Sequence, residues 1–155
     1  MYTQKRQATH FSCAVIFRRT REGVEVLVSE SVTMLPRTRR FGKTKLKFPG
    51  GMRKGPSETP FETMVREVQE ETGLKVNGAE RVYSEPSPTA GWRILQHGYL
   101  VELDDCTGHL KQGHVFDGGS KLVLKWVSAS VIVRGGLTPT HQRVFEVANK
   151  RRWRP

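Results

Sequence analysis

Thr59-Pro60-Phe61-Glu62 opens the most constrained stretch of this 155-residue chain. A threonine followed three residues later by a glutamate, with proline at the first helical position, is a capping-box helix start. Phe61, Met64, Val65 and Val68 then recur at three- and four-residue spacing and draw one apolar stripe, which needs a core to face. Gly73 closes the run, as a glycine just past a helix end commonly does. An amphipathic helix between Thr59 and Gly73 is therefore the first expectation.

That helix also carries chemistry. Glu67, Glu70 and Glu71 stand at i, i+3 and i+4, so the three carboxylates leave from one side of it, away from the apolar stripe. Like charges at this spacing cost a helix roughly a few tenths of a kcal/mol per pair. A hard divalent cation bound through oxygen offsets that repulsion, and magnesium is commonly held by a few carboxylates together with substrate phosphates. The plain alternative is a glutamate-rich solvated face.

The remaining chain reads as alternating strands and turns. His10 to Arg19 and Val24 to Glu30 flank a turn at Glu22-Gly23 and make a hairpin. Residues 36–47 form a loop with six cationic side chains leading into Phe48-Pro49-Gly50-Gly51, a tight backbone path. Beyond the helix, Leu74 to Val76, Glu80 to Tyr83, Arg93 to Leu103 and Lys121 to Trp126 suggest strands, with a loop over Glu85 to Gly91. A last helix begins near Thr138-Pro139-Thr140 and a basic tail, 150–155, follows.

Composition bounds the function classes. The length suits one domain, 1–155, and no apolar run approaches the about 20 residues needed to span a bilayer. No apolar stretch of signal-peptide type follows Met1 to Gln7, so a cytoplasmic location with no membrane partner is expected. Cys13 and Cys106 have neither disulfide-framework nor metal-knuckle spacing and are expected as free thiols, Cys13 buried among apolar residues. Lys and Arg number 26 against 15 Asp and Glu, a formal charge of +11, which favours encounter with polyanions such as nucleotides or RNA.

Gly50-Gly51, Glu58 and then Arg66-Glu67-Val68-Gln69-Glu70-Glu71-Thr72-Gly73-Leu74 together resemble the signature of the Nudix hydrolase family, of MutT-like type. Seven residues separate Glu58 from Arg66, as that pattern asks, and Val68 and Leu74 fill its apolar slots. One departure is visible: six residues, Met52 to Ser57, separate Gly51 from Glu58 where the pattern has five. The resemblance implies an α/β fold, an α/β/α sandwich around a mixed β-sheet, with the motif as a loop–helix–loop that holds magnesium, or manganese in its place. It implies Glu67, Glu70 and Glu71 as catalytic residues and metal ligands, with the backbone carbonyl of Gly51 completing the inner shell. Glu58 and Arg66 are implied as a structural pair, with a substrate phosphate as the competing partner of Arg66. The implied reaction is hydrolysis of a phosphoric anhydride bond, the diphosphate linkage of a nucleoside diphosphate derivative. A glutamate of the helix takes the proton in that reading, or an acid from another loop; Asp104, Asp105 and Asp117 are the downstream candidates, each in turn-like sequence that also suits a plain surface role.

Substrate contacts are expected from the basic loop and one aromatic. Arg39, Lys43 and Lys45, with Arg40 and Lys47, either hold phosphates or are solvated charge. Trp92 either stacks on a base or packs as a core or edge-strand aromatic. Glu85-Pro86-Ser87-Pro88-Thr89 is loosely similar to the proline-containing loop of ADP-ribose pyrophosphatases, and the charge also suits the 5′ end of RNA. Two other classes stay open at this point: a catalytically inactive nucleotide-binding Nudix module, and a basic RNA-binding protein. The oligomeric state is unconstrained by the sequence.

Overall fold

The computed structural model describes residues 8–33, 45–111, 114–117 and 120–153. Its centre is β1 (Thr9–Thr20), a strand whose odd and even residues serve different layers. Cys13, Val15 and Phe17 face one core, with Phe145 and Val144, while Ala14 and Ile16 face another, with Met64 and Val68. A strand buried on both faces reads as an unbroken apolar run, which is why residues 13–17 lack alternation.

β1 turns back into β2 (Gly23–Thr33), pairing Phe17 with Val26 and Thr20 with Gly23. The expected hairpin is present. Its strands then part, and β3 (Lys45–Lys47) and β4 (Gly50–Met52) occupy the fork. β3 pairs with β2, Ser29 opposite Lys47, and β4 pairs with β1, Ser12 opposite Gly51. Lys45 to Lys47 is thus strand where the sequence suggested loop: Leu46 packs against the core, and the Ser29 hydroxyl donates to the Lys47 carbonyl at 3.3 Å.

The helix predicted between Thr59 and Gly73 is α1 (Pro60–Thr72). Thr59 and Glu62 cap it reciprocally, and Gly73 stops it at φ 83°, a left-handed conformation that suits glycine. Met64 and Val68 are fully buried, but Phe61 is 41% exposed and lies T-shaped to Tyr99, at 6.0 Å between ring centroids. Thr63 and Thr72 complete the buried face instead.

After α1 come β5 (Leu74–Val76), β6 (Glu80–Ser87), β7 (Gly91–Glu102), a short 3-10 turn at Leu103–Asp105, β8 (Cys106–Gly108), β9 (His114–Asp117), β10 (Ser120–Ser128), α2 (Ala129–Ile132) and α3 (Pro139–Trp153). The main sheet runs β6-β7-β1-β2-β10-β9, and β5 pairs with β8 apart from it. Only the β1–β7 pairing of the main path is parallel, so the sheet is mixed. With α1 against one face and α3 against the other, the architecture is the expected α/β/α sandwich.

Three local expectations are corrected. Glu85 to Ser87 belong to β6, leaving residues 88–90 as the turn; β6 lies at the end of the sheet order, where a proline costs no inward ladder bond, and the register shifts at Pro86/Ser87. The tail residues Lys150 to Trp153 continue α3, with Arg151 and Arg152 paired to Glu80 and Glu102 at 2.7 Å each. Asp117 lies in β9 and not in a turn. Cys13 and Cys106 are free thiols, Cys13 buried, as expected.

Candidate active site

β4 brings the glycines of the motif against the glutamates of α1. Ser12 sits opposite Gly51 in the β1–β4 ladder, and paired residues put their side chains on the same face, here the α1 face. The Glu67 carboxylate fills the space where Gly51 would carry a side chain: a Cβ there would lie 2.5 Å from Oε1 of Glu67. One turn further on, Oε2 of Glu71 accepts from the backbone N–H of Gly50 at 3.3 Å. Glu67 and Glu71 thus share the glycine edge of β4.

Arg66 is the hub of the second set of contacts. Its Nε donates to Oε2 of Glu58 and its Nη2 to Oε1, each at 2.9 Å, the bidentate fork that suits a guanidinium and a carboxylate. Nη1 donates to Glu67 at 2.9 Å and to Glu70 at 3.2 Å, and Nη2 also reaches the Met52 carbonyl at 3.0 Å. Glu70 takes a further ion pair from Lys54 at 3.7 Å. The expected pairing of Glu58 with Arg66 is present. The extra residue between Gly51 and Glu58 is absorbed by a turn in which the Glu58 N–H meets the Gly55 carbonyl at 3.2 Å.

The charges follow from this geometry. Glu58 is held down at about 2, chiefly by the hydrogen bonds from Arg66, and the Arg66 pKa is raised chiefly by Glu58. Glu67 is shifted the other way: burial raises its pKa, and Arg66 offsets only part of that. A carboxylate in this position gains from a cation more than an exposed one does.

The sequence reading expected three carboxylates on one shared cation. Among the described residues, no three or more Asp, Glu, His or Cys side chains converge as a cage, because Glu70 turns to Arg66 and Lys54. The donors still fit magnesium chemically. One or two carboxylates suffice when waters and substrate phosphates complete the shell, and Glu67 and Glu71 meet that need beside a backbone cradle which any Cβ would fill. Beneath them the Ser12 hydroxyl is fully buried without a partner among the described residues, so the floor of this edge is polar.

The other expected site residues are distributed differently. Arg39 and Lys43 lie outside the described residues, and Lys45 is placed in β3 with its side chain outside them. Trp92 is 61% exposed at the start of β7, beyond the β1–β7 ladder that opens at Thr9 and Ile94. It is therefore not a core aromatic. Asp104 and Asp105 follow Glu102, which is level with Phe17, whereas Gly51 is level with Ser12; they sit at the far end of β1 from the glutamates. Two histidines escaped the sequence reading. His10 donates to or accepts from Thr63 of α1 at 2.9 Å, and Nδ1 of His141 accepts from the Phe48 N–H at 3.0 Å. Each lies more than 50 residues from its partner, and no local spacing signals such a bond.

Known proteins give the class. The NUDIX domain family model matches residues 9–147, and the chain belongs to the NUDIX family. Nudix hydrolases as a class act on phosphoric anhydride bonds and generally use divalent metal ions. The fold is shared with the E. coli ORF135 protein (TM-score 0.67, 20% identity, covering 99% of this chain and 96% of that one). It is also shared with MutT studied from Aliivibrio salmonicida and Vibrio cholerae (0.65, 18%, 93% and 99%). A third neighbour is the NUDIX domain of Shewanella oneidensis NrtR, in complex with ADP ribose (0.64, 19%, 97% and 93%). No curated protein matches the chain significantly. Among the described residues, no helix is long and apolar enough to cross a membrane.

Proposed function

We propose that this chain is a magnesium-dependent hydrolase that cleaves the diphosphate linkage of a nucleoside diphosphate derivative. The observation that carries the reading is the apposition of Glu67 to Gly51 and of Glu71 to Gly50, two carboxylates set along one strand edge. Glu67, Glu70, Glu71 and the Gly51 carbonyl would hold the cation. Bound there, it supplies charge neutralisation of the diphosphate and an acidified water.

The protein's own part is arrangement. Arg66 keeps Glu67 and Glu70 aimed while its charge is spent on Glu58, so Arg66 serves the carboxylates and not the substrate. A glutamate of the helix that is within hydrogen-bond reach of the attacking water would take its proton. Arg39, Lys43 and Lys45 bind the phosphates and Trp92, being exposed, offers its ring to a base. The ADP ribose held by the NrtR domain supports a nucleotide as ligand class.

The test is a product assay with Mg2+ over nucleoside triphosphates, nucleotide sugars, ADP-ribose, dinucleoside polyphosphates and 5′-triphosphorylated RNA, with E67Q as the control. Turnover of a diphosphate-containing member that E67Q lacks supports the reading. Nucleotide binding without any turnover would replace it with a binding module.

A further inference from the structure

We propose that His10 is a positioning residue for the glutamates of the site, acting through Thr63, Glu58 and Arg66; the inference rests on the hydrolase reading above. His10 lies on the α1 face of β1 and is 7% exposed, and Thr63, beneath α1, is fully buried. Nε2 of His10 is 2.9 Å from the Thr63 hydroxyl, and that hydroxyl is 2.6 Å from Oε1 of Glu58.

The direction of every proton in this chain is fixed. Glu58 is ionised and can only accept, so Thr63 donates to it. A hydroxyl has one proton, and having given it to Glu58, Thr63 must accept from His10, which carries its hydrogen on Nε2. Burial and Arg53 keep the imidazole neutral.

The same helix holds an internal comparison. In place of a histidine, Thr72 has the Leu74 N–H on its oxygen at 3.0 Å, and its hydroxyl turns back to the carbonyl four residues earlier, Val68, at 2.6 Å. That is the ordinary resting bond of a helical threonine. Thr63 has the equivalent carbonyl within its own turn, at Thr59, whose oxygen accepts the Thr63 N–H at 2.9 Å. At Thr63 the donor is the His10 ring on β1 and not a backbone N–H at the helix end, and the hydroxyl points outward to Glu58 instead. Glu58 then sets the plane of the Arg66 guanidinium, and the free arm of Arg66 sets Glu67 and Glu70. Arg66 stands one bond behind the metal-binding side chains, a position whose loss commonly changes metal affinity by about 10- to 100-fold. His10, acting further back, falls at the lower end of that range.

The experiment measures Mn2+ binding to the substrate-free protein by the electron paramagnetic resonance of free Mn2+, beside the Mn2+ dependence of hydrolysis. H10M, which lacks a donor, and T63V should weaken Mn2+ binding about tenfold, with hydrolysis recovering at saturating Mn2+. H10Q and T63S, which keep the donor and the hydroxyl, should stay within about twofold of the parent, and H10M/T63V should be no weaker than T63V alone, as members of one chain act together. If H10M fails to fold, H10N replaces it, its amide being too short to reach Thr63. Parent-like Mn2+ binding in H10M or H10N, or additive losses in the double variant, overturns the proposal while leaving the hydrolase reading intact. A parent protein that neither binds Mn2+ nor hydrolyses any substrate sinks both.

Discussion

The carboxylate of Glu67 occupies the volume a side chain on Gly51 would need, so it rests against strand β4 only because that position is glycine. Its neighbour has a different reason for being glycine. A Cβ on Gly50 would lie 2.7 Å from the Cα of Cys13, inside the backbone of β1.

The two glycines should therefore fail differently. Gly51→Ala should displace Glu67 and lower kcat by about two orders of magnitude, the scale on which placed charge acts on a transition state, with little change in melting temperature. Gly50→Ala pushes two backbones apart and should lower the melting temperature by several degrees. Kinetics and thermal unfolding of both variants check this; equal thermal losses would show that Gly51 serves packing alone.

Glu67→Gln and Glu71→Gln should each reduce kcat by about two to three orders of magnitude while the circular dichroism spectrum is kept. Glu70→Gln should cost less, since Glu70 is half exposed and shared between Arg66 and Lys54. A larger loss at Glu70 than at Glu67 would reassign the principal ligand.

Neutralising Arg39, Lys43 and Lys45 together should raise KM more than it changes kcat, as expected for groups that bind ground state and transition state alike. A fall in kcat with KM unchanged would place the loop in the chemistry instead.

His97 and His141 give the fold a pH dependence with a defined sign. Burial lowers both to about 4, and His141 must stay unprotonated on Nδ1 to accept from Phe48. The unfolded chain takes up these protons near 6.5 and the folded chain refuses them until about 4. Their contribution is thus complete above about 6.5 and is lost as the pH falls from there toward 4, at about 1 kcal/mol per pH unit for each histidine. Melting curves between pH 7.5 and 5 should show the decline, and H141Q, which keeps an acceptor but does not titrate, should flatten it. Parallel curves for the two proteins would refute the assignment.

Gly98 is where α3 rests on the sheet, since a Cβ there would run into Cγ1 of Val144. Gly98→Ala should cost about 1–3 kcal/mol of stability by overpacking, leaving kcat of the folded fraction unchanged. Unaltered unfolding would mean that α3 yields freely at this contact.

The chain announced its helix more clearly than its sheet. Capping at Thr59 and the stop at Gly73 are local signals, and the structure keeps both of them. β3, β4 and β8 are three residues long, too short for a period to register, and exist through partners elsewhere in the chain. Glu85 to Ser87 read as loop because proline is rare in strands, and position at the end of a sheet is not written in the residues themselves. Phe61 shared the period of Met64 and Val68, yet burial was decided by where the helix meets the sheet. The contacts of His10 and His141 are tertiary throughout.

The fork between β1 and β2 separates two jobs that a simple hairpin would have joined. β4 takes its alignment from β1, at Phe11 to Cys13. Insertions, deletions or exchanges of cationic residues between β2 and β3 therefore leave the strand edge facing Glu67 where it is. Such a scaffold lets specificity drift across generations while its reactive core is inherited unchanged.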